Sequence, residues 1–263
     1  MSARAGGQRA GHALAVSGLL AWRAILLVRR MPSVFIPSLV MPLFILVATA
    51  GAFHGVGALP IGTSNYLAFV IPFATLMGAG FAGVNAGLTL ARDIEGGFVD
   101  RLVSSPAPRT ALIAGPFTAA AMRSVFTTTV VLAAGLIGGV GLPGPAGTAV
   151  IFVLAMGWAM VTACWSMGVA LRARTVQAAP LMQLVVFVAI FTSVAYAPRE
   201  LQQGWLRTIA DVNPVTPILE ASRSVELGGA GWGDVYPGLL AVAGLLAVGV
   251  AWALTGLSRL GRE

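Results

Sequence analysis

The sequence predicts an all-α integral membrane protein with six transmembrane helices, and two observations support this prediction. Hydrophobic residues make up 57% of the chain and charged residues only 10%, whereas a soluble domain carries about 25% charged residues. The chain also contains six apolar runs of about 20 residues or more, which are continuous rather than alternating and long enough to cross the hydrocarbon core of a bilayer. A backbone in lipid must satisfy its own hydrogen bonds, so we expect each run to form a helix. The runs are residues 33–53, 66–90, 111–139, 148–171, 180–197 and 235–257.

The placement of arginine predicts how these helices are oriented. All 16 basic residues are arginine, and one predicted side of the bilayer holds Arg4, Arg9, Arg23, Arg29, Arg30, Arg92, Arg101, Arg109, Arg172, Arg174, Arg259 and Arg262. The other side holds only Arg199, Arg207 and Arg223. Because arginine favours the cytoplasmic side, we expect a multi-pass protein of the cell membrane with both termini in the cytoplasm. This asymmetry accounts for the net charge of +7 without a nucleic-acid partner.

The sequence lacks the residues that catalysis by this chain would need. Without lysine it cannot form the P-loop contact to nucleotide phosphates. His12 and His54 are isolated, and neither an H-E-x-x-H nor a G-x-S-x-G motif is present. We therefore expect a transport protein that binds no metal or cofactor of its own.

The segment before the first run, residues 10–31, combines an apolar stretch with arginines. Charge followed by an apolar stretch is also the pattern of a signal peptide. Arg23 interrupts the stretch and Arg29 and Arg30 follow it at once. We therefore expect a helix that lies in the cytoplasmic interface.

The connection between the second and third runs, residues 91–109, concentrates charge. Ile94, Phe98 and Leu102 recur every four residues and would share one face of a short helix. The charged residues beside this face are Arg92 and Glu95, spaced to pair with each other, and Asp100 and Arg101. A solvated loop needs no apolar face, so the pattern favours a docking element.

The connection between the fifth and sixth runs, residues 197–234, is expected to form short helices on the outer face. Leu201, Trp205 and Ile209 make one apolar stripe, and Asn213-Pro214 breaks the chain after it. A second stripe consists of Ile218, Ala221 and Val225, with Glu220 and Arg223 predicted on another side of that helix. Such helices lie on the outer leaflet or form an ordinary lid of connecting helices.

Small and polar residues inside the runs suggest how the helices pack. Ala79, Gly83 and Gly87 are spaced four apart, which lets two helix backbones approach closely, and we expect this contact within the chain. Arg123 lies inside the third run and would either snorkel to the cytoplasmic interface or line a path for substrate. Asn85 would either join helices or line the same path.

Two motifs resemble those of type-2 ABC exporter permeases, in particular the daunorubicin-resistance-like branch. In the first motif, Gly97 replaces the family's usual threonine, and the matching residues are Glu95, Gly96, Arg101, Leu102, Ser105, Pro106, Arg109 and Gly115. In the second motif they are Trp205, Asn213, Pro214, Glu220, Ala221 and Arg223. With six runs in the expected order, the resemblance extends over nearly the whole chain.

The resemblance implies that residues 1–263 form a single ABC-2 type transmembrane domain that exports drugs, lipids or glycan precursors. It implies partner ATPase subunits, which hold ATP and magnesium, and a second permease chain, either an identical copy or a paralogue. It also implies that residues 10–31 are the connecting helix and residues 91–109 the coupling helix. The ATPase-coupling residues would be Arg92, Ile94, Glu95, Phe98, Asp100, Arg101 and Leu102, and an extracytoplasmic gate would hold Trp205, Asn213, Pro214, Glu220 and Arg223.

Two other functions remain open at the level of the sequence. A secondary transporter or channel would work without an ATPase. Proton-coupled carriers usually need a carboxylate within a span, and none of the six runs contains Asp or Glu. An intramembrane enzyme would need the catalytic groups that the sequence lacks.

Overall fold

The computed structural model describes residues 32–53, 66–99 and 111–259, and the secondary structure of these residues is helical. The α-helices are α1 (Pro32–Phe53), α2 (Tyr66–Glu95), α3 (Ala111–Ile137), α4 (Gly144–Ala173), α5 (Ala179–Phe191), α6 (Gly204–Val212), α7 (Thr216–Leu227) and α8 (Trp232–Arg259). Short 3₁₀ turns at Val176–Ala178 and Arg199–Leu201 precede α5 and α6. The predicted all-α class is confirmed, whereas the expected interfacial helix at 10–31 lies outside the described residues.

Four helices are long and apolar enough to cross a membrane, and they match the second, third, fourth and sixth predicted runs. They are Tyr66–Glu95, Ile113–Ile137, Gly144–Ala173 and Trp232–Ser258. In the region of the first run, α1 is a helix of 22 residues. The structure therefore supports four candidate spans directly.

The fifth predicted run, 180–197, differs from expectation because α5 ends at Phe191 after 13 residues. A helix of this length spans about 20 Å, which is less than the roughly 30 Å of the hydrocarbon core. The residues that follow turn away because side chains from the next segment bind their carbonyl groups. Gln202 Nε2 donates to the carbonyl oxygens of Ser193 at 3.2 Å and Ala197 at 3.3 Å.

Helix α2 occupies the centre of the bundle. In its apolar stretch 94% of the residues are buried, compared with 22% in that of α8. Helices α1, α3, α4, α5 and α7 all contact α2. A helix that is apolar on all sides is stable only when it is surrounded in this way or by lipid.

The closest contact in the bundle joins α2 to α4 and depends on two glycines. A side chain at Gly83 would fall on the Thr162 hydroxyl and the Ala159 carbonyl oxygen, and one at Gly87 would fall on the backbone of Ser166. The absence of a side chain therefore lets the two backbones meet. The expected packing of this glycine pair within the chain is what the structure shows.

Hydrogen bonds cross the same α2–α4 contact. Thr162 Oγ1 donates to the Gly80 carbonyl oxygen at 3.1 Å. Ser166 Oγ lies 3.2 Å from the Gly83 carbonyl oxygen and accepts a hydrogen bond from the Gly87 N–H at 3.2 Å. Hydroxyl groups on α4 thus bind backbone groups that the missing side chains of α2 leave accessible.

On its other side, α4 packs against α8 through aromatic residues. The Trp252 ring fills the space beside Gly168 and stacks on Trp165, with ring centroids 5.7 Å apart and planes 14° apart. The Arg172 guanidinium lies 3.5 Å from the centre of the Trp252 ring and donates to the Trp252 carbonyl oxygen at 3.1 Å. This cation–π contact fixes the end of α4 to α8.

We predict that Gly83→Ala destabilises the protein by about 1–3 kcal/mol, because the added methyl group would overpack the α2–α4 contact. Gly244→Ala is the matched control, since Gly244 also lies inside a candidate span and a methyl group added there would have no atom within 4 Å. Thermal unfolding in detergent measures both variants. Equal midpoints for the two would show that the close approach of α2 and α4 is not required.

Candidate functional site

The first group of predicted site residues lies where α2 ends. Glu95 is exposed, and its Oε1 accepts hydrogen bonds from Thr175 Oγ1 and from the Val176 N–H, each at 2.8 Å. Thr175 in turn caps the 3₁₀ turn before α5, accepting from the Gln177 N–H at 3.2 Å. A carboxylate at the N-terminus of a helix is favoured by the helix dipole. Glu95 therefore binds the start of α5 instead of forming the expected pair with Arg92.

The predicted apolar face of this segment is interrupted by a turn. Helix α2 ends at Glu95, and Gly97 adopts a φ of +66°, a conformation that suits glycine better than the family's usual threonine. The spacing of Ile94 and Phe98 therefore does not place them on one continuous helix, which corrects that expectation. Instead Val99, which sequence reasoning missed, is buried, while Phe98 is partly exposed.

The remaining predicted coupling residues are only partly described. Arg92 is exposed at the end of α2, and Ile94 packs against the core. Asp100, Arg101 and Leu102 lie outside the described residues.

The second group lies at the opposite end of the bundle, between α5 and α8. Asn213 Nδ2 donates to the Ala189 carbonyl oxygen at 2.7 Å and to Thr192 Oγ1 at 3.0 Å, so it occupies the C-terminus of α5. The last carbonyl groups of a helix have no partner within the helix. Asn213 Oδ1 also accepts from the Val215 N–H at 2.9 Å, which fixes the break at exposed Pro214.

Arg223 is buried, although the sequence placed it on a side of its helix away from the apolar stripe. Its side chain is only 7% exposed and lies 3.6 Å from the centre of the Phe69 ring. Its Nη2 donates to the Ala195 carbonyl oxygen at 3.2 Å, and its Nε to that of Phe69 at 3.4 Å. Burial lowers the pKa of Arg223 to about 10, so the guanidinium remains charged at neutral pH. Arg223 thereby joins α7 to α2 and to the turn after α5.

Glu220 and Trp205 have different surroundings. Glu220 accepts from Arg199 Nη2 at 2.8 Å and Nε at 3.0 Å, and Arg199 also lies 3.5 Å from Asp211. Sequence reasoning missed Arg199 because 21 residues separate it from Glu220 and no local spacing relates them. Trp205 is 71% exposed on α6, so the structure does not bring it into this network.

The two residues proposed for a substrate path lie inside the bundle. Arg123, midway along α3, is 6% exposed, and Asn85 on α2 is 7% exposed. Ser124, Thr127 and Thr128 on α3 are buried as well. Arg123 therefore lies among protein groups deep in the helix bundle.

An apolar cavity of about 350 Å³ lies between α4, α5 and α8. Its wall includes Trp158, Trp165 and Trp252, and the outer segment contributes Pro214 and Val215. Among the described residues, no group of three or more His, Cys, Asp or Glu is placed to hold a metal ion.

Glu226 on α7 is a buried carboxyl group that sequence reasoning did not single out. It is 8% exposed, and its Oε2 has no hydrogen-bond partner among the described residues. Burial raises the pKa of Glu226 from its ordinary value of 4.5 to about 7. Composition alone could not have shown this, because burial depends on how α7 packs.

We predict that the stability of the protein falls as the pH rises through about 7 and that Glu226→Gln weakens this dependence. Between pH 4.5 and about pH 7 the folded protein keeps a proton on Glu226 that the unfolded chain has lost. The stabilisation from this proton is therefore complete below pH 4.5 and is lost above about pH 7. Unfolding midpoints between about pH 5 and pH 8 measure the effect, with Glu200→Gln on the exposed surface as the control. If the midpoints of Glu226→Gln follow those of the unaltered protein at every pH, the raised pKa of Glu226 is contradicted.

Comparison with known proteins agrees with the two motifs. Residues 17–227 match the family model described as ABC-2 type transporter. The chain is 29% identical over 251 residues to the daunorubicin resistance ABC transporter permease protein DrrB1 of Streptomyces coeruleorubidus, covering 92% of this chain and 86% of that protein. It is similar also to putative transport permeases ycf38, at 29% identity in Pyropia yezoensis, with coverage of 76% and 70%, and at 30% in Porphyra purpurea, with 78% and 72%.

The match to the family model covers most of the chain, and it confirms the resemblance that the motifs indicated. The helical structure with long apolar helices is that of a multi-pass membrane protein. The chain therefore belongs to the ABC-2 type transporter family, as a permease subunit without an ATPase domain.

Proposed function

We propose that the chain is the membrane-spanning subunit of an ATP-driven exporter that moves a hydrophobic or amphipathic substrate outward. Separate ATPase subunits bind ATP and magnesium, and a second permease chain, identical or paralogous, completes the membrane domain. Membership of the ABC-2 type transporter family implies a partner ATPase. The name of the DrrB1 relative links that protein to drug resistance. The apolar cavity beside α5 supports a hydrophobic substrate.

The observation that carries this proposal is the segment at the end of α2. An exporter must transfer work from a water-soluble ATPase to helices in lipid. Exposed Arg92 and partly exposed Phe98 provide charge and an apolar anchor in a segment that continues directly from the central helix. Buried Val99 fixes this segment to the core. A force applied there acts on α2, which most of the other helices contact.

The proposed orientation places the ends of α2 and α4 that carry Glu95 and Arg172 in the cytoplasm, together with both termini of the chain. The arginines on that side support it through the positive-inside rule. Residues 197–234 then face outward and hold the proposed gate residues Asn213, Glu220 and Arg223. In this orientation the Asn213 and Arg223 contacts hold the outer end closed.

We predict that Phe98→Ala weakens binding of the ATPase subunit by about 2 kcal/mol, roughly thirtyfold in affinity, because truncating a buried anchor at an interface typically costs this much. Phe126→Ala on α3 is the matched control, since Phe126 is 59% exposed away from this end of the bundle. We expect Asp100→Asn to have a smaller effect, because we assign Asp100 to the rim of the proposed interface, where a charge contributes little.

Co-purification with titrated ATPase subunit and substrate-stimulated ATP hydrolysis provide the measurement. Full binding and full coupling in Phe98→Ala would show that Phe98 does not anchor the ATPase subunit.

We predict that a cysteine at Gln203 reacts with a membrane-impermeant thiol reagent only from outside the cell, and one at Gln177 only from the cytoplasm. Both side chains are exposed, Gln177 in the turn before α5 and Gln203 directly before α6, and the buried Cys164 is first replaced by alanine. Intact cells and inverted vesicles give the two measurements. Labelling of the Gln203 position from the cytoplasm would invert the proposed topology.

A further inference from the structure

Helix α5 is held at both ends by side chains from other segments. At its start, Glu95 binds the Thr175 hydroxyl and the Val176 N–H, each at 2.8 Å. At its end, Asn213 binds the Ala189 carbonyl oxygen at 2.7 Å and the Thr192 hydroxyl at 3.0 Å. Glu95 belongs to residues 91–109, the proposed ATPase-docking segment. Asn213 belongs to residues 197–234, which hold the proposed outer gate.

Both contacts reach the backbone of the helical segment. The Val176 N–H belongs to the 3₁₀ turn that leads directly into α5, and the Ala189 carbonyl group belongs to its last turn. A displacement of Glu95 therefore acts on the helix itself, not only on a flexible side chain. The carboxylate also interacts favourably with the N-terminal dipole of the turn.

Between these ends, α5 packs on one side only, where Phe187 and Phe191 also contact aromatic rings of α2. Met182, Val186 and Ile190, spaced four residues apart, are its buried residues. Leu184 and Val188 on other sides are 58% and 52% exposed. A helix that is packed on one side can shift as a unit more easily than a helix that is surrounded by neighbours. Helix α2 cannot do so independently, because neighbours surround it.

We propose that α5 transmits the movement of the ATPase-docking segment to the outer helices, with Thr175 and Asn213 as the positioning residues at its two ends. The inference rests on the proposed function, which supplies the ATPase and the direction of transport. Thr175 connects Glu95 to α5, and Asn213 connects α5 to the start of α7. Movement at the cytoplasmic end is thereby passed about 20 Å to the gate by one rigid helix.

The test uses the complex of the full chain with the ATPase subunit and a cysteine at Gln203, after Cys164→Ala. The readout is the change in the rate of cysteine modification caused by ATP, measured per co-purified ATPase subunit. Thr175→Val removes the hydroxyl that binds Glu95. Asn213→Asp removes the Nδ2 donor but keeps the Oδ1 acceptor for Val215. We expect each variant to reduce the ATP-dependent change about fivefold.

The double variant separates transmission from independent damage. Effects of sites more than about 10 Å apart normally add. If both residues act through α5, the double variant loses no more of the ATP response than the more affected single variant. Thr175→Ser, which keeps the hydroxyl, should respond like the unaltered protein. Thr129→Val is the matched control, because the Thr129 hydroxyl binds only its own helix, at 2.8 Å from the Val125 carbonyl oxygen.

Glu95→Asp, which withdraws the carboxylate from Val176, provides a second variant should Thr175→Val fail to assemble, and it should cause the same loss. An intact ATP response in these single variants would overturn the inference and leave the proposed function in place. So would a double variant in which the reduction of the ATP response equals the product of the two single reductions. If the complex of the unaltered chain with the ATPase subunit hydrolyses no ATP, the proposed function is overturned, and this inference with it.

Discussion

The approach of α2 to α4 at Gly83 and Gly87 is the contact on which the rest of the structure depends. In lipid the hydrophobic effect does not drive one helix against another, so close packing and hydrogen bonds must hold them together. The two glycines permit that packing, and Thr162 and Ser166 add hydrogen bonds to the α2 backbone. The remaining helices then pack around a fixed pair, with α8 positioned on the far side of α4.

This central position gives α2 a role at both ends of the molecule. One end continues into the charged segment and binds the start of α5 through Glu95. The other end lies beside Arg223, which binds the Phe69 carbonyl group and the turn after α5. The rigid centre and the thinly packed α5 are thus connected at the same two places. The surrounded α2 can move only together with its neighbours, whereas α5 can shift by itself in response to its two end contacts.

Run length and hydropathy were sufficient to predict the long helices, because the thickness of the bilayer imposes one length on all of them. They failed for the fifth run, since several of its last residues bind Gln202 and Arg223 through their carbonyl groups. The motifs identified Asn213, Glu220 and Arg223, yet periodicity could not show that Arg223 is buried.

Thr175 and Arg199 bind partners that lie far away in sequence, so no local pattern indicated them. The charges at 91–109 were recognised, but the turn at Gly97 divides the helix that spacing alone predicted.

Transport by this chain is proposed to depend on ATP hydrolysis by a separate ATPase subunit. Reconstitution into liposomes, with the chain alone and with the ATPase subunit, tests this claim most directly when the movement of a hydrophobic fluorescent substrate is followed with and without ATP. We predict movement only when the ATPase subunit and ATP are both present. Movement by the chain alone, without ATP, would contradict the account and would identify a stand-alone secondary transporter or channel.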